Sequence, residues 1–327
     1  MKNKNLLMFT LNNIPFILLI AVFVFFGLNA KNWFTLENFK NIFMAASYIG
    51  IATVGMTFVL LTGGIDLSVG ANMFLGMTIA GQLIKLYHAP TWLALMASLA
   101  VGLAFGLFNA FCVTKVKILP FLVSLSLMIS GRGTALLISS SQSLYMPPEF
   151  MRSVGSGVLF RFLPVPIFCF ASIVFIGHMF LKNTTMGRQI YAVGNDREIA
   201  RKSGISNAKI IAVAYTLCGL LAAISGVISI GQIGNVNPNF GEGDEFDAIS
   251  AAVLGGTSLT GGVGTIFPGA VIGTLLVQMI KAGLVYMQVN LYVQPLITAM
   301  VILMAVVLDS IRSRVIAKLE RRNIRAE

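Results

Sequence analysis

Charge is what this sequence has least of. Only 11% of its 327 residues are Asp, Glu, Lys or Arg, against 57% hydrophobic, which is about half the charged share of a soluble domain. The charges are also confined. Residues 5–30, 41–65, 67–84, 89–114, 162–181, 210–241, 248–280 and 282–308 carry none. Crossing the hydrocarbon of a bilayer takes roughly 20 helical residues, so most of these runs can span, and a soluble protein exposing so many would aggregate. Other absences narrow the chemistry. Three cysteines (Cys112, Cys169, Cys218) lie singly inside apolar runs, where small core residues are expected. The two histidines, His88 and His178, stand without companion ligands, so no metal site is implied. No lysine follows a glycine anywhere, which excludes the phosphate-binding G-x-x-x-x-G-K-[ST] loop. If ATP drives this protein, another chain hydrolyses it. No nucleophile–base constellation is visible, so no catalytic residue is assigned, the chain is read as a non-enzyme, and no cofactor of its own is expected.

What is present is a set of spans. Residues 248–280 would make a helix of roughly 50 Å, too long for a core of about 30 Å, and Gly255, Gly256, Gly261, Gly262 and Gly264 interrupt it. Residues 41–84 hold only Asp66 and are interrupted by Gly63 and Gly64. Splitting both gives spans near 14–30, 42–62, 68–86, 91–113, 118–140, 163–181, 210–232, 247–260, 265–286 and 291–309. With the N-terminus inside, 16 Lys and Arg fall on the inner side and five (Lys31, Lys40, Lys85, Arg152, Arg161) on the outer. That bias sets orientation and requires an even number of crossings. The expected fold class is therefore all-α: a polytopic membrane protein of about ten transmembrane helices, broken near 63–70 and 255–265, with both termini cytoplasmic. Residues 1–309 form one transmembrane domain and 310–327 a basic cytoplasmic tail, with Ile311, Val315, Ile316 and Leu319 at helical spacing. The net charge of +11 is then the inner face of a membrane protein, not a nucleic-acid footprint. Lys2 and Lys4 precede an apolar run that is long for a signal peptide, and an uncleaved first span is expected.

The stretch "LLTGGIDLSVG", Leu60 to Gly70, puts a carboxylate and three glycines where a helix should continue. Backbone can leave a helix at membrane depth only where protein or a water-filled cavity satisfies its polar groups. Gly63 and Gly64 permit the break, and Asp66 or Ser68 can cap the following helix. Asp66 has three candidate roles: that cap, a hydroxyl contact with a substrate, or a charge partner for Arg132, an intramembrane cation within the 118–140 span. "LTGG" recurs at Leu259–Gly262, again between two apolar segments, and paired interruptions point to a transport pathway. Gly63, Gly64, Asp66, Ser68, Thr257, Thr260, Gly261 and Gly262 are the candidate path or gate residues.

The longest inner loop runs from Lys182 to Lys209. Within it "DREIARKSG" reads as a short capped helix, with Asp196 as N-cap, Glu198 in the first turn, Arg201 and Lys202 in the last, and Gly204 at the left-handed position after it. A helix this short is unstable alone, which makes a docking partner a reason for its caps.

Three segments, "VGMTFVLLTGGIDLSVG" (Val54–Gly70), "MGRQIYAVGNDREIARKSGIS" (Met186–Ser206) and "DEFDAISAAVLGGTSLTGGVGT" (Asp244–Thr265), resemble the permease subunit of ribose-type sugar importers of the ATP-binding cassette class. The similarity covers most of the chain in the same order. One departure is "AVGND", which lacks a second glycine before Asn195. The resemblance implies a bacterial inner-membrane protein that works as a homodimer or related heterodimer of permease subunits. A cytoplasmic ATPase subunit would drive it, and a periplasmic or lipid-anchored sugar-binding protein would deliver the solute. The 182–209 loop then becomes the coupling segment, through Arg188, Asp196, Arg197, Arg201, Lys202 and Gly204. The implied cargo is a monosaccharide, a ribose-like pentose first, with autoinducer-2 or another small polar solute as the alternative. A competing class is the ion-coupled secondary transporter. Such carriers bury several acids on the pathway, whereas here Asp66 is the only carboxylate expected well inside a span pair. A membrane-embedded enzyme is disfavoured by the absence of a catalytic cluster.

Overall fold

A computed structural model describes residues 13–155, 157–159, 163–290, 292–301, 303, 304 and 307. The basic tail 310–327, Lys2, Lys4 and Arg161 lie outside the described residues. The helices are α1 Ile14–Asn29, α2 Leu36–Leu61, α3 Val69–Tyr87, α4 Thr91–Phe111 (continued by a π turn, Cys112–Val116), α5 Pro120–Ser139 and α6 Pro148–Val154. They continue as α7 Val165–Asn183, α8 Thr185–Asn195, α9 Arg197–Lys202, α10 Asn207–Ile233, α11 Asp244–Leu254 and, after a π turn at Ile266–Ala270, α12 Val271–Tyr286. Residues 294–301 are helical again. Two ladders of two-residue strands, β1 Leu144–Tyr145 with β4 Asn235–Val236 and β2 Val158–Leu159 with β3 Leu163–Pro164, are the only sheet among the described residues.

Local chemistry sets the helix ends. Thr35 caps α2 by accepting the Asn38 N–H, and Pro15 and Pro120 stand in the first turns of α1 and α5, where a missing N–H costs nothing. The centre of the bundle is α2, whose residues 49–61 are all buried, packed antiparallel to α10. Ser225 Oγ donates to Tyr48 O at 2.6 Å and Gln232 Nε2 to Met44 O at 3.1 Å. α4 approaches α10 through Gly102, Gly106 and Gly219, whose backbones leave no room for a Cβ, the small-residue contact expected of helices packed in lipid. Outside this core, Trp92, Met96, Leu107, Phe108, Leu122, Ile129 and Leu137 are exposed, an apolar belt suited to acyl chains.

Seven helices among the described residues are long and apolar enough to cross a membrane. α1, with 16 residues, is shorter, and the span expected at 291–309 is described only in part. The expected span at 247–260 is not a span. α11 has 11 residues, about 16 Å, and Gly255–Thr265 is loop.

Where α11 begins explains why. α10 has 27 residues, about 40 Å, and Asn72 Nδ2 donates to Gly219 O near its middle at 2.9 Å. So α3 starts halfway up the bundle, because residues 62–68 turn back from the end of α2. The segment after α10 does the converse. It leaves the β1–β4 ladder, and at its lowest point Gly241 lies against Gly70 so closely that neither has space for a side chain. From there α11 runs towards the opposite end from α3. Two full-length helices are thus each followed by a re-entrant segment and a helix that starts at mid-depth, with opposite senses. The N-termini of α3 and α11 meet in the middle.

Candidate functional site

Three neighbourhoods bring the polar residues together. The first is the turn after α2. Asp66 and Ser68 are each 1% exposed, too enclosed for either to touch a solute here. Asp66 Oδ1 accepts the Ser68 N–H at 2.9 Å and the Ser68 hydroxyl at 2.6 Å, immediately before α3. Asn109 Nδ2 reaches both Asp66 oxygens at 3.3 Å. Tyr215 Oη donates to Ile65 O beside it at 3.2 Å. Ser68 is the N-cap residue of α3 but its side chain accepts no first-turn N–H, so Asp66 closes a turn just ahead of the helix rather than capping it, with a network around it. Arg132 is elsewhere: it donates to Pro238 O and Phe240 O, both at 3.4 Å, and lies 5.4 Å from the Phe74 ring centroid, within cation–π range. The Asp66–Arg132 pair is not formed.

The second neighbourhood is the end where α2 stops and α11 arrives. The two "LTGG" turns pack on each other: Gly262 N donates to Leu61 O at 3.0 Å, and Gly63, Gly261 and Gly262 have φ of +72°, +93° and +73°, the left-handed region that favours glycine. Gly64 has no space for a Cβ against the Tyr215 hydroxyl. Thr257 is fully buried with its hydroxyl unpartnered, and Thr260 Oγ1 lies 2.9 Å from Ser258 Oγ.

Helices α8 and α9 sit on these turns. Asp196 caps α9 by accepting the N–H groups of Glu198 and Ile199 at 2.8 and 2.9 Å, and Gly204 follows at φ +80°. Arg201 and Lys202 are exposed in the last turn, with Lys202 paired to Glu198 at 2.9 Å. Arg188 is exposed on α8, and Ile199, 62% exposed, puts an apolar side chain at the tip. Arg197 is exposed like its neighbours and also reaches inward. Its guanidinium donates to Thr62 O at 3.1 Å, placing a cation at the negative C-terminal end of α2. Tyr191 Oη donates to Gly264 O at 2.9 Å, and burial pushes its phenol pKa up from the ordinary value. Gly194 is so close to Leu61 O that a Cβ would overlap it. One exposed unit therefore grips the turns of both broken segments.

The third neighbourhood was not legible from spacing. Glu245 and Asp247, at the mid-depth start of α11, are 4% and 3% exposed, so Asp66 is not the only enclosed carboxylate. Asp247 is paired with Lys281 of α12, and a Cβ on Gly70 would overlap the Glu245 carboxylate. The run "GEGDEFD" looks like a loop flanking a span because its charges end the apolar count. Beside it lies a cavity of about 920 Å³ between the first turns of α2, the start of α11, α12 and residues 294–299. None of the eight path residues expected from the sequence lines it.

Antiparallel apolar helices, an apolar belt and two re-entrant segments meeting at mid-depth define a multi-pass membrane permease. The family model described as "Branched-chain amino acid transport system / permease component" matches residues 38–307, and the chain belongs to that family. It is 35% identical over 289 residues to the ribose import permease of Escherichia coli (strain K12), covering 86% of this chain and 88% of that protein. It is 33% identical over 300 residues to the D-allose transport system permease of the same organism, 91% of each chain. To the autoinducer 2 import system permease of Yersinia pseudotuberculosis it is 32% identical, over 89% of this chain and 82% of that one. No solved structure matches the chain.

Proposed function

We propose that this chain is the membrane-spanning subunit of a binding-protein-dependent importer, driven by a separate ATP-binding cassette ATPase. Its cargo is a monosaccharide, a ribose-like pentose first. The relatives named for ribose, allose and autoinducer 2 support that class of cargo. The charge bias supports a bacterial inner-membrane orientation with both termini and the α8–α9 unit in the cytoplasm. The importer pairs two permease subunits, identical or related, and receives solute from an extracytoplasmic binding protein. The chain binds no cofactor and no nucleic acid.

The observation that carries this reading is the position of α8 and α9. The unit carries an exposed, well-capped helix with Ile199, Arg201 and Lys202 outward, and it is bonded inward through Arg197 to Thr62, in the turn after α2, and through Tyr191 to Gly264, in the loop after α11. A partner that moved this unit would move both breaks together. That is the linkage an external motor needs. Reconstitution tests it. D-Ribose uptake into vesicles should require the cognate ATPase, the binding protein and ATP. Uptake by this chain alone along an ion gradient would replace the reading with an ion-coupled carrier, for which Glu245 and Asp247 are the acids to examine. Uptake of leucine or isoleucine in place of sugars would instead move the cargo to the branched-chain amino acids named by the family.

A further inference from the structure

The meeting point of the two re-entrant segments holds a cation and a carboxylate that converge on one residue without pairing. Among the described residues the ion pairs are Lys202–Glu198 and Lys281–Asp247, so neither Arg132 nor Glu245 belongs to one. Glu245 is 4% exposed, and its Oε2 is buried without a hydrogen-bond partner. Arg132, half-buried on α5, rests on the neutral carbonyls of Pro238 and Phe240. Both contacts are 3.4 Å, beyond the usual N–H···O range of about 2.7–3.2 Å. The residue they converge on is Gly70. Phe240 precedes Gly241, whose carbonyl lies against Gly70, and a Cβ on Gly70 would overlap the Glu245 carboxylate as well. Phe74, one turn further along α3, lies beneath the Arg132 guanidinium. A cation without an anion and a carboxylate oxygen without a donor are each costly at membrane depth, and each supplies what the other lacks.

We propose that Arg132 and Glu245 form an ion pair in a second conformation of the protein, and that Arg132 is a positioning residue for the re-entrant segment in both. In the conformation described, the guanidinium holds the carbonyls of Pro238 and Phe240 beside α5 and α3. When residues 238–243 move off Gly70, those carbonyls leave and the contact enclosing the Glu245 carboxylate opens. The guanidinium then turns to the carboxylate, a charge-assisted contact roughly twice as strong as a neutral one. The exchange keeps the cation bonded at both ends of the motion, so the segment can move without stranding a charge. Asp247 does not take this part because Lys281 already holds it. Asp66 does not because the Ser68 and Asn109 donors surround it. The inference rests on the transport reading, whichever motor drives the passage.

The test is a double-mutant cycle on the full chain, assembled with its ATPase and binding protein in vesicles, with D-ribose and D-allose as probes. Glu245→Gln keeps the shape and breaks no bond of Oε2 in the conformation described, so it should unfold no earlier than the wild type on heating. Its sugar uptake should nevertheless fall about tenfold or more, the worth of a charged hydrogen bond, while ATP hydrolysis persists. Arg132→Gln should fall similarly, and the double variant should be no slower than the slower single variant. Arg132→Lys keeps the charge and should retain more uptake than Arg132→Gln, an advantage that should vanish beside Glu245→Gln. If Arg132→Gln does not fold, Arg132→Lys carries the cycle. Asp244→Asn, at the neighbouring carboxylate, should leave the coupling intact. Wild-type uptake in Glu245→Gln, losses that multiply in the double variant, coupling of Arg132 to Asp244 instead, or earlier unfolding of Glu245→Gln would each overturn the proposal. The importer reading is scored by the wild-type arm alone, by whether its uptake needs the ATPase and ATP. Uptake along an ion gradient instead would replace that reading, and the cycle would be read on that uptake.

Discussion

The two re-entrant segments are built on the same plan with opposite chemistry. Residues 62–68 surround one carboxylate with neutral donors: the Ser68 N–H and hydroxyl and the Asn109 amide. Residues 234–247 concentrate charge: Glu245 and Asp247 buried, Lys281 paired to Asp247, and Arg132 on the carbonyls of Pro238 and Phe240. A carboxylate held by neutral donors needs no partner that moves, which suits a pivot. Ions paired across different helices must stay together or separate as those helices shift, which suits a gate. The cavity adjoins the charged segment only.

The contact between the segments is the first place to break this picture. Gly70 and Gly241 meet backbone to backbone, and Gly241 has φ +72°. Gly70→Val should cost about 3 kcal/mol or more, because overlap with main chain cannot be relieved by a rotamer change. Size-exclusion chromatography after detergent extraction should show loss of the monodisperse peak. Gly133→Ala, on α5 where a Cβ would meet nothing within 4 Å, is the control and should behave as wild type. A well-folded Gly70→Val protein would mean the segments do not meet there.

The charged side should respond next most strongly. Lys281→Met leaves Asp247 alone in a buried position. The cost of breaking a buried pair, reduced because the Lys281 side chain is 39% exposed, comes to about 2 kcal/mol. Adding Asp247→Asn should recover part of it, and a thermal-unfolding double-mutant cycle measures the coupling. Strict additivity would remove the pair from the account of the gate.

These two segments also mark how far the sequence could be followed. The first break and the caps of α9 were legible to the residue, because glycine and capping side chains act through local backbone geometry. The depth of the second segment was not. An apolar-run count treats Asp244, Glu245 and Asp247 as the edge of a span, while in the fold Lys281, 34 positions later, compensates Asp247. The repeated "LTGG" was a real signal with a different meaning. Its two copies pack on each other at one end, and the counterpart of residues 62–68 is residues 234–243.

On the neutral side the effects should be smaller. Asp66→Asn keeps an acceptor for the Ser68 N–H and should transport. Asp66→Ala strands the Ser68 and Asn109 donors and should cost about 1–2 kcal/mol. Because Arg132 has other partners, Arg132→Ala and Asp66→Ala should add within about 0.5 kcal/mol. A large coupling energy, or an Asn variant that inserts and assembles but transports nothing, would give Asp66 a role its hydrogen bonds do not explain.

The smallest changes in stability sharpen the comparison most, because they ask which break the α8–α9 unit drives. Arg197→Gln removes the cation at the end of α2 and loosens the link to the first segment. Charge–dipole contacts of this kind are worth about 0.3–1 kcal/mol. Tyr191→Phe deletes the bond to Gly264 and loosens the link to the second, at about 0.5–1.5 kcal/mol. Neither touches the outward face of Ile199, Arg201 and Lys202, so both variants should still assemble with the ATPase and support its hydrolysis of ATP. If the charged segment is the gate, Tyr191→Phe should lower sugar moved per ATP more than Arg197→Gln does, since its link runs to the loop that continues α11. Equal losses would mean that the two turns move as one body. A larger loss in Arg197→Gln would reverse the assignment of pivot and gate.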